Sequence, residues 1–361
     1  MTRKDFLKTV GTSAVTAAVA SSFRGDAASP APPQAAGLKR GVTLYSYQEA
    51  YYTHAMNLED CLREASSIGA YQIQLLPEEM VPDFPNPSDQ WVGQWKEWMA
   101  KYRLVADTYC QFQDTVLTKG VDLPIEQGLA MMERDFKLAK RMGFHKARML
   151  NGTDLTVLEK GIPLAEKYDI WMGMEVHAPT RLDGKLVHRW IEIADRNKTK
   201  HLGILPDFSI FQYRPTRVQR DRQIRDGALT PDIATYIEEA FVKQTPKADV
   251  AAEVARRNPK PGDKLWVETV YRIKMDDPQI MVQLKDYLQN CHAKFWEMTE
   301  DYHEYSIDYK TVIPVMVKGG ITATLSSEYE GQRSTQDAFE TDECEQIRRQ
   351  HVMLRRLLGE V

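Results

Sequence analysis

The sequence is poor in the features by which most chemistries announce themselves. Cysteine occurs only four times in 361 residues, as Cys61, Cys110, Cys291 and Cys344, with no CxxC spacing. This argues against a thiolate metal site or a disulfide scaffold; buried free thiols are the expected state, with one opportunistic disulfide as the alternative. No glycine-rich dinucleotide fingerprint and no Walker loop follows any apolar run, so no nucleotide cofactor is signalled. Long hydrophobic runs are missing too, which leaves no stable membrane anchor. Charge of one sign is not in excess: the formal charge of -4 argues against broad nucleic-acid binding and leaves small-molecule substrates open. What is present is a hydrophobic content of 43%, ordinary for a globular enzyme with a sizeable core.

The N-terminus reads as an address. Thr2-Arg-Lys-Asp-Phe-Leu-Lys8 is basic, and the Ala/Val/Ser/Thr run of residues 9–23 is too short and too weakly apolar to span. Residues 1–27 are expected to be an export signal with cleavage near Gly25, Ala27 and Ala28, and residues 28–37 a linker. The heptapeptide resembles a twin-arginine signal with Lys4 in place of the second arginine, so both export routes stay open and a periplasmic protein is expected.

From residue 38 onward a single domain is expected, built from alternating strands and helices. Gly41–Ser46 reads as a strand and Leu58–Ile68 as a helix closed by Gly69. The unit recurs as Tyr71–Leu76 with Asp89–Tyr102, Leu104–Tyr109 with Ile125–Met142, His145–Leu150 with Leu155–Tyr168, and Trp171–His177 with Leu186–Asn197. His201–Phe208 precedes a long excursion before a helix over Pro278–Lys285; Tyr287–Phe295 with Tyr309–Lys318, and Thr322–Ser327 with Glu340–Leu358, complete the series. Eight such pairs predict an α/β fold, a (β/α)8 TIM barrel, rather than an open doubly wound sheet.

In such a barrel the strand ends converge on one mouth. Strands five to eight carry Glu175, Asp207, His292 and Glu328 there. Three carboxylates and one imidazole form a hard, oxygen-rich donor set, expected to hold one divalent ion, Mn²⁺ first, with Mg²⁺, Co²⁺ or Zn²⁺ as alternatives. His177 follows Glu175 by two residues, so strand alternation turns it to the same side, and it is the first choice for general base. The competing reading makes it a group that merely orients Glu175. Lys294 stands in the same relation to His292 and could polarise a substrate oxygen or form a salt bridge to a ligand carboxylate. Tyr45 could stack on or hydrogen-bond to a sugar, or simply pack. The remaining histidines fall away from this cluster, although His54 is near enough to the first strand to reach the mouth.

Residues 213–277 form an insertion after strand six, opening with Arg214, Arg217, Arg220, Arg222 and Arg225, with a helix expected over Pro231–Val242 and a turn over Pro259–Asp263. Excursions of this length at the catalytic end make lids or interfaces.

The alternating architecture and the ligand order Glu, Asp, His, Glu resemble the xylose-isomerase-like sugar isomerase and epimerase superfamily. Gly41-Val-Thr-Leu-Tyr-Ser-Tyr47, Phe84-Pro-Asn-Pro-Ser88, His292-Ala-Lys-Phe295 and Ser326-Ser-Glu-Tyr-Glu-Gly331 are similar, more narrowly, to catalytic subunits of bacterial C-glycoside deglycosidases. The resemblance implies a metal-dependent lyase on 3-oxo-glycosides, acting with a small second subunit or as a homo-oligomer. Gln74 stands where the wider superfamily commonly has a glutamate, which bears on how a substrate hydroxyl is held. The chemistry itself is general. A ketone at C3 acidifies the C2 proton, and a divalent cation stabilises the charge that develops when it leaves. Loss of the C1 substituent then gives β-elimination; reprotonation instead gives isomerisation or epimerisation, and the four ligands do not separate the two.

Overall fold

The computed structural model describes residues 37–112, 123–332 and 342–361, so the expected export signal and all but the end of the linker lie outside the described residues. Eight strands, β1 (Leu38–Thr43), β2 (Gln72–Leu75), β3 (Val105–Gln111), β4 (Lys146–Met149), β5 (Trp171–Val176), β6 (Leu202–Pro206), β7 (Asn290–Phe295) and β8 (Ala323–Tyr329), form one sheet in the order β6-β5-β4-β3-β2-β1-β8-β7. All the pairings within it are parallel. The seam between β6 and β7 is held by two parallel bridges, Ile204 to Leu288 and Asp207 to His292, so two candidate ligands themselves meet across the closure of the barrel.

The helices cover the outside because their apolar residues repeat at helical spacing. Ile125–Met142 turns Met132, Phe136, Ala139 and Met142 into the core and ends on Gly143, whose φ of 96° is open to glycine and strained for other residues. Asn57 caps Leu58–Ser67 in a reciprocal box with Asp60, and Gly69 again takes positive φ. At the N-terminal end the barrel interior is polar. Asp107 on β3 accepts from Lys146, Asn290 and Thr324 on three other strands at 2.8 to 2.9 Å, a buried network with its charges paired. Above it Trp171 fills the interior; a Cβ at Gly173 would lie 2.4 Å from its ring, which is why β5 has no side chain there.

Several boundaries differ from the sequence expectation. β1 begins three residues before Gly41, since Leu38 and Arg40 are buried, and Leu44–Tyr47 turns into a 3-10 helix instead of extending the strand. The helix expected over residues 155–168 is two helices, Leu155–Lys160 and Ile162–Tyr168, broken where Met132 packs against Gly161. Between β6 and β7 the excursion carries helices Arg217–Arg225, Pro231–Val242, Lys247–Arg256 and Pro261–Val270. The turn expected at Pro259–Asp263 is a helix start: Pro261 takes the first position and the Asp263 carboxylate accepts from Lys260 N at 2.8 Å. These helices share a small core of their own around Ile233, Ile237, Val254 and Trp266.

Candidate metal centre

Glu175 lies near the end of β5, Asp207 just beyond β6, His292 within β7 and Glu328 near the end of β8. One donor atom from each lies within 4.8 Å of the others, and all four residues are buried. Donors each ~2.0–2.6 Å from one ion stand at most about 5 Å apart, so the arrangement fits a single ion. His292 Nδ1 is 3.0 Å from Glu175 Oε1, 3.2 Å from Glu328 Oε2 and 3.7 Å from Asp207 Oδ2. Nδ1, Asp207 Oδ2 and Glu328 Oε2 are buried without a hydrogen-bond partner. Their other contacts are ion pairs with Glu175, with one another and with Lys294, and buried donors of this type that face a common point are suited to a cation.

Charge makes the same argument. Glu175, Asp207, Glu328 and Glu330 are opposed by Lys294 and Arg148, so four carboxylates face two cations and a divalent ion would cancel the difference. In the metal-free protein the histidine answers that field. Burial works against a charged imidazole, but Glu328, Asp207 and Glu175 hold His292 protonated well above its ordinary value. Burial also opposes ionisation of Asp207 and Glu175; Lys294 and His292 nevertheless keep Asp207 well below the usual carboxylate range, while Arg148 and His292 pull Glu175 down to about 2. Glu328 goes the other way, burial raising it despite His292 and Lys294.

Lys294 is buried, with Nζ 3.2 Å from Asp207 Oδ2, 3.3 Å from Glu328 Oε2, 3.1 Å from Glu330 Oε1 and 3.0 Å from His177 Nε2. It makes the carboxylate salt bridges that were the alternative to contact with substrate. His177 Nδ1 lies 2.7 Å from the Ala178 carbonyl, to which it donates, leaving Nε2 as the lone-pair nitrogen that receives Lys294. Tyr45, His177 and Lys294 line one cavity with Glu175 and Glu328, of about 240 Å³. His54 does not reach it; it lines a separate groove with Tyr51, Trp91 and Trp98. The four cysteines are free, as expected.

Two residues at the site, Arg148 and Glu330, were not assigned a role from sequence, and a third, Gln74, takes a contact other than the expected one. Gln74, the glutamine in place of a glutamate that suggested a contact with substrate, puts its amide nitrogen Nε2 2.7 Å from His292 Nε2. With Nδ1 facing the carboxylates, the ring Nε2 carries a proton, so two donors would face each other; turning the Gln74 amide over presents its oxygen as the acceptor that fixes the ring. Arg148 sits on β4 with Nη1 4.0 Å from Glu175 Oε2. Glu330 follows Glu328 by two residues and reaches Lys294. Lys146 and Arg148 alternating with Ala147 and Met149 in the short run 145–150, and the alternation 328–330, were the available signals.

No protein-family model matches the chain. It is 24% identical over 333 residues to a C-glycoside deglycosidase alpha subunit of Arthrobacter globiformis, covering 90% of this chain and 93% of that one. A 3'-dehydrocarminate deglycosidase alpha subunit of a Microbacterium species is also 24% identical, over 345 residues, covering 89% and 95%. The relatives of this chain are deglycosidase alpha subunits. Among solved structures it superposes on a sugar phosphate isomerase/epimerase from Parabacteroides distasonis (TM-score 0.52, 11% identity, 91% and 95% covered). It also superposes on the IOLI protein with a bound zinc atom (TM-score 0.53, 10% identity, 90% and 98% covered). Those likenesses establish the TIM-barrel fold, while the deglycosidase relatives match along nearly their whole length.

Proposed function

We propose that the protein is a divalent-metal-dependent lyase that acts on 3-oxo-glycosides, removing the C2 proton and expelling the C1 substituent. The observation that carries this reading is the convergence of Glu175, Asp207, His292 and Glu328 on one point beside His177. The deglycosidase names of the relatives support an enzyme acting on carbohydrate. A divalent cation held by the four residues, Mn²⁺ by donor type, supplies Lewis-acid stabilisation of negative charge on the substrate's oxygens. The chain supplies the rest. His177 Nε2 takes the C2 proton; its partner Lys294 remains anchored by three carboxylates while that lone pair is in use. The C2–H electron pair moves toward the C3 carbonyl, and its return forms the C1–C2 double bond as the C1 substituent leaves, the proton on His177 being available to it. A cavity of about 240 Å³ is below the ~300–1,000 Å³ of pockets for larger ligands, so it suits the sugar and leaves the aglycone outside.

The alpha-subunit names of the relatives support association with a second subunit, for which the helices of residues 213–277 are the proposed surface. The basic N-terminal sequence supports a periplasmic site of action. Incubating the Mn²⁺-loaded protein, alone and with a candidate second subunit, with 3-oxo-glycosides and isomerisable ketoses tests the proposal. Release of the aglycone supports it; conversion without change of mass makes the protein an isomerase or epimerase through the same deprotonation.

A further inference from the structure

The cavity beside the ligand cluster holds a cation, Arg148, that offsets carboxylate charge without reaching the base or a ligand at hydrogen-bond range. Arg148 is on β4, with a side chain 8% exposed. Its Nε and Nη1 are buried without a nitrogen or oxygen partner, and the Cys110 thiol beside the guanidinium is only a weak acceptor. Glu175 Oε2, at 4.0 Å from Nη1, is beyond hydrogen-bond range. The guanidinium carbon stands 4.6 Å from the centre of the Phe112 ring, which covers one face and fixes the plane of the fork. The side chain lines the same cavity as Glu175, His177 and Gln74. A guanidinium buried in that way is unfavourable unless its donors meet an acceptor, and its rigid geometry suits an oxygen that carries negative charge.

We infer that Arg148 is a substrate-binding residue whose Nη1–H donates to a substrate oxygen that becomes anionic as the neighbouring C–H bond breaks. In the lyase chemistry proposed above, on which the identity of that oxygen rests, it is one on the C2–C3 unit: the C2 proton goes to His177 Nε2, the electron pair enters the C2–C3 bond, and the charge appears on oxygen. Arg148 thereby selects ligands with a planar, negatively charged oxygen pair over neutral polyols of the same length. The competing role is simple compensation of the Glu175 charge. Compensation makes no distinction between an anionic and a neutral probe beyond net charge, and a lysine would supply it.

The test is calorimetric titration of the Mn²⁺-loaded wild type, Arg148→Met and Arg148→Lys with erythronohydroxamate, which is planar and becomes anionic when it loses its N–OH proton on chelating the Mn²⁺, and with erythritol, which stays neutral. Affinity for the hydroxamate is expected to fall about 10- to 100-fold in Arg148→Met, the effect of losing one or two charge-assisted hydrogen bonds, with little recovery in Arg148→Lys. Erythritol binding is expected to change less than ~3-fold, within the range of a single lost neutral contact. Equal losses for both probes, unchanged hydroxamate affinity, or full recovery by lysine overturns the assignment. Should Arg148→Met not fold, the lysine variant carries the same comparison. No turnover is needed: selective loss in a protein without lyase activity retains Arg148 and removes the proposed function, whereas lyase activity with unchanged hydroxamate affinity does the reverse.

Discussion

Replacing Lys294 with methionine removes a buried cation from among three carboxylates while nearly preserving side-chain volume. Each of its ion pairs, at 3.1 to 3.3 Å, has a gross attraction of about 5 kcal/mol at an effective dielectric of 20. Most of that is offset by the cost of burying the charges, and the net cost of removing one partner of a buried pair is ~3–5 kcal/mol, because the remaining charge is stranded. The metal-free variant should therefore melt well below the wild type, by roughly 2–4 °C per kcal/mol as for domains somewhat smaller than this one. The same substitution makes the ligand cluster more negative, so Mn²⁺ should raise the melting temperature of Lys294→Met by more than it raises that of the wild type. Thermal melts of both proteins with and without Mn²⁺ read this out. A variant that melts within about 2 °C of wild type without metal, or that gains less from Mn²⁺ than wild type does, would refute the electrostatic account of the site.

His177→Ala should leave Mn²⁺ binding intact and lower turnover by ~10²–10⁴-fold; unchanged turnover would transfer the proton to Glu328, whose carboxyl burial already raises. Gln74→Leu should keep the fold and weaken Mn²⁺ by ~10–100-fold through loss of the group that orients His292, with Gln74→Glu recovering it, and equal affinities in all three proteins would show that the 2.7 Å contact does not matter. In the metal-free protein the stability contributed by protonated His292 should be complete below ~6.5, its unfolded value, and be lost as pH rises through the higher folded one. Mn²⁺ loading near neutrality should accordingly release a proton and weaken as pH falls, which calorimetry in buffers of different ionisation enthalpy measures; no proton release would mean that the imidazole is already neutral.

The barrel was readable in the sequence because its helices end on local signals that act over a few residues. Ile125–Met142 and Tyr309–Lys318 have the expected limits: Gly143 closes the first, and Asp308, whose side chain accepts from Thr311 N, opens the second. Glu175, Asp207, His292 and Glu328 were readable because strand order alone brings the ends of β5 to β8 together. Leu44–Tyr47 was not, since whether an apolar run continues as strand depends on what it packs against; here Ser46 bonds to the backbone of Ser327 and Tyr329, far along the chain. Gln74 and His292 meet across 218 residues, a contact no local pattern encodes. Arg148 failed for a related reason. The alternation Lys146-Ala-Arg-Met149 on β4 turns Lys146 and Arg148 to one side, but that the arginine ends beside Glu175 and Phe112 depends on distant contacts that no local pattern encodes.

The account rests on one ion held by four residues. Equilibrium dialysis of the purified protein against Mn²⁺, followed by elemental analysis, measures this directly for the wild type and for Glu175→Ala, Asp207→Ala, His292→Ala and Glu328→Ala. The expected result is one ion per chain in the wild type, with each substitution costing more affinity than the ~10–100-fold of a merely orienting residue. A wild type that binds no Mn²⁺, Mg²⁺, Co²⁺ or Zn²⁺ in stoichiometric amount, or a folded variant among the four that binds as the wild type does, would contradict it.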